Sequence, residues 1–383
     1  MKLPYWRLSG FYFFYFATLG AFLPFWSLYL KHAGFAAKEI GELTALMIAT
    51  KIIAPNLWGY VADKTGKRLW LIRLAIGLSA LLFAGFFYGN DYYWFAIVTI
   101  SFSFFWNATL PQFEAATLLH LKNQAGQAYS RIRLWGSIGF ILAVLGIGWF
   151  LDSFSIGYLP LIITSLLSLN ALIALITPEP KASQQAKQGV GIWQVLCRFE
   201  VIAFFLVYMF LQIAHGPYYV FYSVYLKQHA YTATATGLLW ALGVCAEIVM
   251  FMLVSHLLRL FSLRRLLLVS LALTTWRWLI IAYQVDQLAW AIWAQCLHAA
   301  SFGIAHVVAI QLLYQYFGEQ HQGKGQALYA SFSFGIGGML GSLYSGYFWD
   351  QLGASQVFVI AALASGLALL IGFVGVGRKT GRI

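Results

Sequence analysis

Six ionisable side chains stand inside otherwise apolar runs: Lys51, Glu114, Arg133, Glu247, Arg277 and His298, with His215 and His306 behind them. A charge in such a run is costly and is kept where it holds a ligand, a proton or a partner charge. Glu114 and Arg133 lie about equally far from the polar turn between their runs. On consecutive antiparallel helices they would sit at similar depth and could pair. Glu247, Arg277 and His298 fall on three successive runs, so they could share one chamber. A carboxylate held there, away from bulk water, can carry a proton. A static buried ion pair would use the same residues. Lys51, alone on its run, would attract an anion such as a carboxylate, or pair with Glu114 or Glu247.

The elements that must position these groups follow from composition. The chain has 383 residues, of which 61% are hydrophobic and 9% charged. A soluble domain carries about a quarter charged residues, so this chain cannot clothe itself for water. Its apolar surplus must face lipid or itself, and only helices or closed barrels span a bilayer. Runs of about 20 residues suit helices. Twelve can be drawn: Leu8–Leu30, Ile40–Ala62, Leu69–Tyr88, Tyr92–Leu119, Ile132–Leu151, Gly157–Ile176, Val201–Leu226, Thr234–Leu258, Leu263–Tyr283, Leu288–Tyr316, Gly325–Trp349 and Ser355–Val376. If neighbours merge, the count is eleven.

The net charge of +12 would suggest nucleic acid in a soluble protein. Here the basic residues sit in short loops. With the N-terminus inside, Lys64, Lys67, Arg68, Arg131, Arg264, Arg265 and Lys324 face the cytoplasm, against Lys31, Lys38 and Lys227 outside. This bias predicts two cytoplasmic termini in a plasma membrane, the bacterial inner membrane, and no nucleic-acid partner. The run from Phe11 to Leu30 is too long for a signal peptide and is expected to be the first span. Cys197, Cys245 and Cys296 have no metal-ligand or disulfide spacing.

One hydrophilic break, at Pro178–Gly191, divides the chain into near-equal halves. The expected organisation is residues 1–178, a cytoplasmic linker over 179–199, and residues 200–383. The halves repeat. Ser27-Leu28-Tyr29-Leu30-Lys31 matches Ser223-Val224-Tyr225-Leu226-Lys227, and Gly41 then falls on Gly237. Gly126-Gln127-Ala128 matches Gly325-Gln326-Ala327, with Gly136 on Gly335. At the first offset Lys51 falls on Glu247, which makes the two pseudo-symmetric.

After the second run comes Gly59-Tyr60-Val61-Ala62-Asp63-Lys64-Thr65-Gly66-Lys67-Arg68. This resembles the loop signature of the major facilitator superfamily, and the alternative is a plain basic turn. Gly59 would permit close helix contact and Gly66 a tight turn. Asp63 could pair with an Arg, so Gly59, Asp63, Gly66, Lys67 and Arg68 form a candidate gating loop. The counterpart over His256–Arg265 keeps basic residues and lacks the Asp and Gly. Parallel halves about a midplane site suit the same superfamily.

Further residues narrow the resemblance. Phe22-Leu23-Pro24-Phe25-Trp26, Pro111-Gln112-Phe113-Glu114 and Arg133-Leu134-Trp135-Gly136 resemble the lactose permease group. Lys51, Trp276-Arg277-Trp278 and Leu297-His298 bring the chain nearer to its 3-phenylpropionate permease branch. The resemblance implies an all-α membrane protein of twelve spanning helices in two pseudo-symmetric six-helix bundles. It implies substrate contacts at Lys51, Glu114, Arg133, Arg277 and His298, and proton coupling at Glu247, Glu114 or His298. Phe140, Gln295, Ser301 and Phe334 depart from lactose permease, where a Trp, a Lys, a Glu and a Lys stand, so a galactoside site and its proton relay are not carried over intact.

The expected function is proton-coupled symport of a small organic carboxylate by alternating access, in a protein that works as a monomer. A sugar or nucleoside symporter that turns Glu114 and Arg133 to hydroxyls is the alternative. A membrane-embedded enzyme with His298 or His306 as base is a remote one, since Ser301 lies near but no orienting third group appears. No cofactor and no metal are expected, and no phosphate-binding glycine loop is present.

Overall fold

The computed structural model describes residues 3–121, 125–180 and 193–377. Among them every regular element is helical. The chain divides into two compact units, Met1–Ala186 with Thr232–Leu238, and Lys187–Tyr231 with Leu239–Ile383. Of the expected linker, residues 181–192 lie outside the described residues.

The first unit contains α1 (Tyr5–His32), α2 (Ala37–Thr65), α3 (Arg68–Phe83), α4 (Tyr92–Leu121), α5 (Ala125–Ser153) and α6 (Leu159–Ile176). α1 packs on α5 and α6, and α4 packs on α2 and α3. The α1–α5 contact is made by glycines. A Cβ on Gly139 would lie 2.2 Å from the Phe13 carbonyl oxygen, and one on Gly20 would lie 2.8 Å from that of Phe140. Inside a membrane, helices associate through such close packing, because lipid tails are as apolar as leucine. Pro24, Pro55 and Pro111 sit within α1, α2 and α4.

The second unit contains α7 (Phe199–Gln228), α8 (Ala233–Leu260) beyond its first turns, α9 (Leu263–Gln284), α10 (Leu288–Cys296), α11 (Ala305–Tyr329), α12 (Gly338–Leu352) and α13 (Ala354–Gly375). Here α7 packs on α12 and α13, and α9 packs on α13. Gly216 meets Gly341, where an added Cβ would lie 2.3 Å from backbone. Gly20 and Gly216 each stand seven residues before the repeated Ser27 and Ser223. The two halves therefore use a glycine at the same repeat position for a close helix crossing.

Two wide turns of π-helix, Ala299–Ile304 and Ala330–Gly337, interrupt the second unit. Gly318 takes φ 60° and ψ −177° between them, a backbone setting open to glycine. Among the described residues eleven helices are long and apolar enough to cross a membrane. The expected Gly325–Trp349 span is also helical, but the second π turn and the start of α12 divide it. Leu288–Gly318 holds a π turn as well and is among the eleven, so what sets Gly325–Trp349 apart is its high glycine and serine content.

Candidate functional site

In the first unit, α4 presents Glu114 and α5 presents Arg133. Their closest approach, Arg133 Nε to Glu114 Oε1, is 3.9 Å, and both side chains are about a third exposed. That is an ion pair too long for a hydrogen bond. The Arg133 guanidinium instead lies 3.9 Å from the ring centre of Phe16 and 5.6 Å from that of Tyr12. Gly136 makes room for this, since a Cβ there would meet Arg133 Nη1 at 2.7 Å and Phe16 at 2.8 Å. Tyr129 lies beside both the Glu114 carboxylate and Tyr12, and Tyr12 donates to Thr117 Oγ1 at 3.3 Å. Nothing in the sequence separated these tyrosines from the many that mark a bilayer interface.

Lys51 is set by its neighbour. Thr50 bonds Ser103 Oγ at 3.1 Å and receives Asn107 Nδ2 at 2.8 Å, which pins that face of α2 to α4. The next residue turns about 100° away along a helix of 3.6 residues per turn, and Lys51 is exposed. It makes no hydrogen bond or ion pair among the described residues. The expected alternative of a pair with Glu114 is not formed.

In the second unit, Arg277 on α9 has no solvent exposure. Its Nε donates to the Ala294 carbonyl at 2.9 Å, and its Nη1 lies 3.1 Å from His298 Nδ1 and donates to Ser301 Oγ at 3.0 Å. The rings of Tyr218 and Trp278 lie 4.3 and 4.5 Å from the guanidinium carbon. A guanidinium only donates, so His298 Nδ1 accepts and its Nε2 carries the proton. That Nε2 points to Glu247 Oε2 at 3.9 Å. Glu247, His298 and Arg277 thus stand in a row with His298 in the middle, although Arg277 lies on the middle run of the three.

The irregular backbone after α10 belongs to this arrangement. The Ala294, Ala300 and Ala305 carbonyls accept from Arg277, from Ser270 Oγ at 2.7 Å and from Tyr208 at 2.8 Å. Side chains of α7 and α9 so bond carbonyls along a segment whose own ladder is widened, a common cause of π turns at functional places. Gln295 accepts from the Tyr218 hydroxyl at 2.8 Å.

With this geometry in place, the chain can be set against known proteins. The MFS_1 like family model matches residues 5–360. The chain belongs to this family of major facilitator transporters. A probable 3-phenylpropionic acid transporter of Escherichia coli (strain K12) is 31% identical over 94% of this chain and 94% of its own. The maltose permease of Geobacillus stearothermophilus is 28% identical over 94% and 92%. The crystal structure of the nucleoside transporter NupG superposes with a TM-score of 0.84 at 18% identity, covering all of both chains. These are transporters and not enzymes, and the MFS_1-like chain described here is a multi-pass membrane protein of the same fold.

The loop of this major facilitator that follows α2 brings its expected residues together. Gly66 ends α2 at φ 67°, and its N–H bonds the Ala62 carbonyl at 2.9 Å. Arg68 opens α3 and pairs with Asp63 at 2.5 Å and with Gln112 of α4. A Cβ on Gly59 would lie 3.3 Å from Gln112 Nε2. Lys67 is exposed. Arg73 caps the end of α6 through the Ala174 and Thr177 carbonyls at 3.1 and 2.6 Å, while Glu179 accepts from Leu69 N–H at 2.9 Å. In the second unit Arg264 does the corresponding work, donating to Val376 and Phe373 at 2.7 and 2.6 Å. Among the described residues no cluster of His, Cys, Asp or Glu could hold a metal.

Proposed function

We propose that this transporter carries a small organic carboxylate, of the size and aromatic character of 3-phenylpropionate, together with a proton. The supporting observation is a surplus of positive charge at membrane depth. Among the described residues Lys51 has no partner and Arg277 bonds only neutral groups. An unpaired cation in a span is expensive, and an anionic substrate offsets that cost. Glu114, Arg133, Arg277 and His298 are the other proposed substrate contacts. Glu247, joined to His298, is the proposed proton carrier, with Glu114 and His298 beside it. The likeness to a probable 3-phenylpropionic acid transporter over nearly the full chain favours the same reading. The proposal places the protein in a bacterial inner membrane with both termini in the cytoplasm, and makes Gly59, Asp63, Gly66, Lys67 and Arg68 the gate of one face.

The likeness to a maltose permease favours a second reading, in which Glu114, Arg133 and Tyr129 hold sugar hydroxyls. Uptake into proteoliposomes separates the two. Labelled 3-phenylpropionate, maltose and a nucleoside are offered under an imposed pH gradient, to wild type and Lys51→Ala. Accumulation of the acid, lost in the variant, is expected. Accumulation of maltose alone overturns the carboxylate reading.

A further inference from the structure

His215 lies on α7 with no solvent exposure. Its Nδ1 is 2.7 Å from the Leu211 carbonyl one turn back, an acceptor only. That bond places the hydrogen of the neutral ring on Nδ1 and leaves a bare lone pair on Nε2. Nε2 has no hydrogen-bond partner, and neither do Arg277 Nη2, Gln295 Nε2 or Trp278 Nε1.

These atoms belong to one cluster of touching rings. His215 meets Trp278 edge-on at 5.0 Å between centres and His298 at 6.5 Å. Tyr218 lies 5.6 Å from His298 and 5.9 Å from Trp278. Arg277 Nη2, Gln295 Nε2 and Trp278 Nε1 only donate, the Tyr222 hydroxyl, also unpaired, can donate or accept, and His215 Nε2 only accepts. A buried donor without an acceptor costs about 1–3 kcal/mol, so such a cluster is complete only with a guest. More donors than acceptors, around a guanidinium with no carboxylate beside it, suit an anionic oxygen.

An anion changes what His215 can do. Before it arrives, a proton on Nε2 would put a second positive charge beside Arg277. Once a carboxylate neutralises the guanidinium, the same proton makes His215 a further donor to the guest. The groups around His215 are Arg277 from α9, His298 beyond α10, Glu247 from α8 behind His298, and the phenols of Tyr218, Tyr219 and Tyr222 on its own helix. The helix that meets α7 at Gly341 carries Gly338, Ser342 and Ser345 at that level.

We propose that His215 is the proton-binding residue linked to substrate, taking one proton at Nε2 when a carboxylate reaches Arg277 and losing it when the carboxylate leaves. This rests on the carboxylate reading above and assigns to His215 the proton bound together with the substrate, with Glu247 left to carry the proton onward. The step is a plain protonation. Water delivers the proton to the Nε2 lone pair, the Nδ1–H stays on Leu211, and no other bond changes.

The test is proton uptake on binding 3-phenylpropionate, followed with a pH indicator in weakly buffered detergent solution. Wild type is expected to take up about one proton per ligand where the ring starts neutral, so that affinity falls about tenfold per pH unit there. His215→Asn, which can keep the bond to Leu211, should bind without proton uptake and without that slope. His298→Asn should bind more weakly and still take up the proton. A His215→Asn protein that takes up the proton as wild type does overturns the proposal, as does wild-type binding with no uptake; both leave the carboxylate reading standing. Wild type that binds no carboxylate sinks that reading and this one together. Should His215→Asn fail to fold, infrared difference spectra of ring-labelled wild type decide. An imidazolium signal on adding ligand that His298→Asn retains supports His215, and no such signal overturns it.

Discussion

Arg133 in the first unit lies on the ring of Phe16, about a third exposed and loosely paired with Glu114. Arg277 in the second is sealed from solvent and bonded to a backbone carbonyl, a histidine and a serine. The two units repeat a fold and a glycine crossing, yet they hold their mid-membrane arginines in opposite ways. An exposed arginine is free to contact a ligand at little cost to the fold. A sealed one is part of the fold, because α9 uses it to complete the backbone after α10. The same charge type therefore carries different weights of binding and of structure.

Replacing both arginines separates these weights. Arg277→Met should have the largest effect. It leaves the Ala294 carbonyl without its donor and removes the bond that orients His298. Stability should drop by about 3 kcal/mol, near the low end for breaking a buried charged contact, and uptake by roughly a hundredfold or more. Thermal melting in detergent and initial uptake rates check both. Arg133→Met should cost at most about 1 kcal/mol of stability, as exposed pairs do, while substrate affinity falls about tenfold. Equal loss of stability in the two variants would erase the contrast.

Lys51→Met has a mixed sign. Affinity for a carboxylate should fall about tenfold, matching about 1.4 kcal/mol. Melting temperature should rise, because an unpaired cation leaves the span. A fall in both would mean that Lys51 is structural. Smaller again are the inner-face caps. Arg73→Ala and Arg264→Ala each remove two side-chain bonds to helix-end carbonyls. Each should cost about 1 kcal/mol, by the same melting assay. Unequal costs would show that one unit relies more on its inner-face cap.

Much of this is legible in the residues alone. Charged residues are so rare in the runs that Arg133, Glu114, Arg277, Glu247 and His298 stood out, and spacing alone put Glu114 and Arg133 at one depth. The loop from Gly59 to Arg68 was legible because a left-handed turn needs glycine and a basic loop needs an acid to hold it. Tyr12, Tyr129 and Tyr218 were not, since a phenol that stands beside a carboxylate or bonds an amide is written like one that faces lipid. Gln112 and Gln295 were hidden likewise. Whether Lys51 would be paired was also open, as sequence does not say how α2 is rotated. Thr50 bonding to Ser103 and Asn107 decides that.

The sequence by itself determined that this chain crosses a membrane as helices, that it is a doubled six-helix plan, and which charges it keeps inside. Those follow from local quantities: apolar length, repeat offset and the cost of a charge in lipid. Only the tertiary structure decided that Arg277 bonds the Ala294 carbonyl, that the backbone widens into a π turn after His298, and that His215 has an idle nitrogen among unpaired donors. Each depends on a partner distant in sequence whose angle of approach is set by helix packing, and no local pattern encodes that angle.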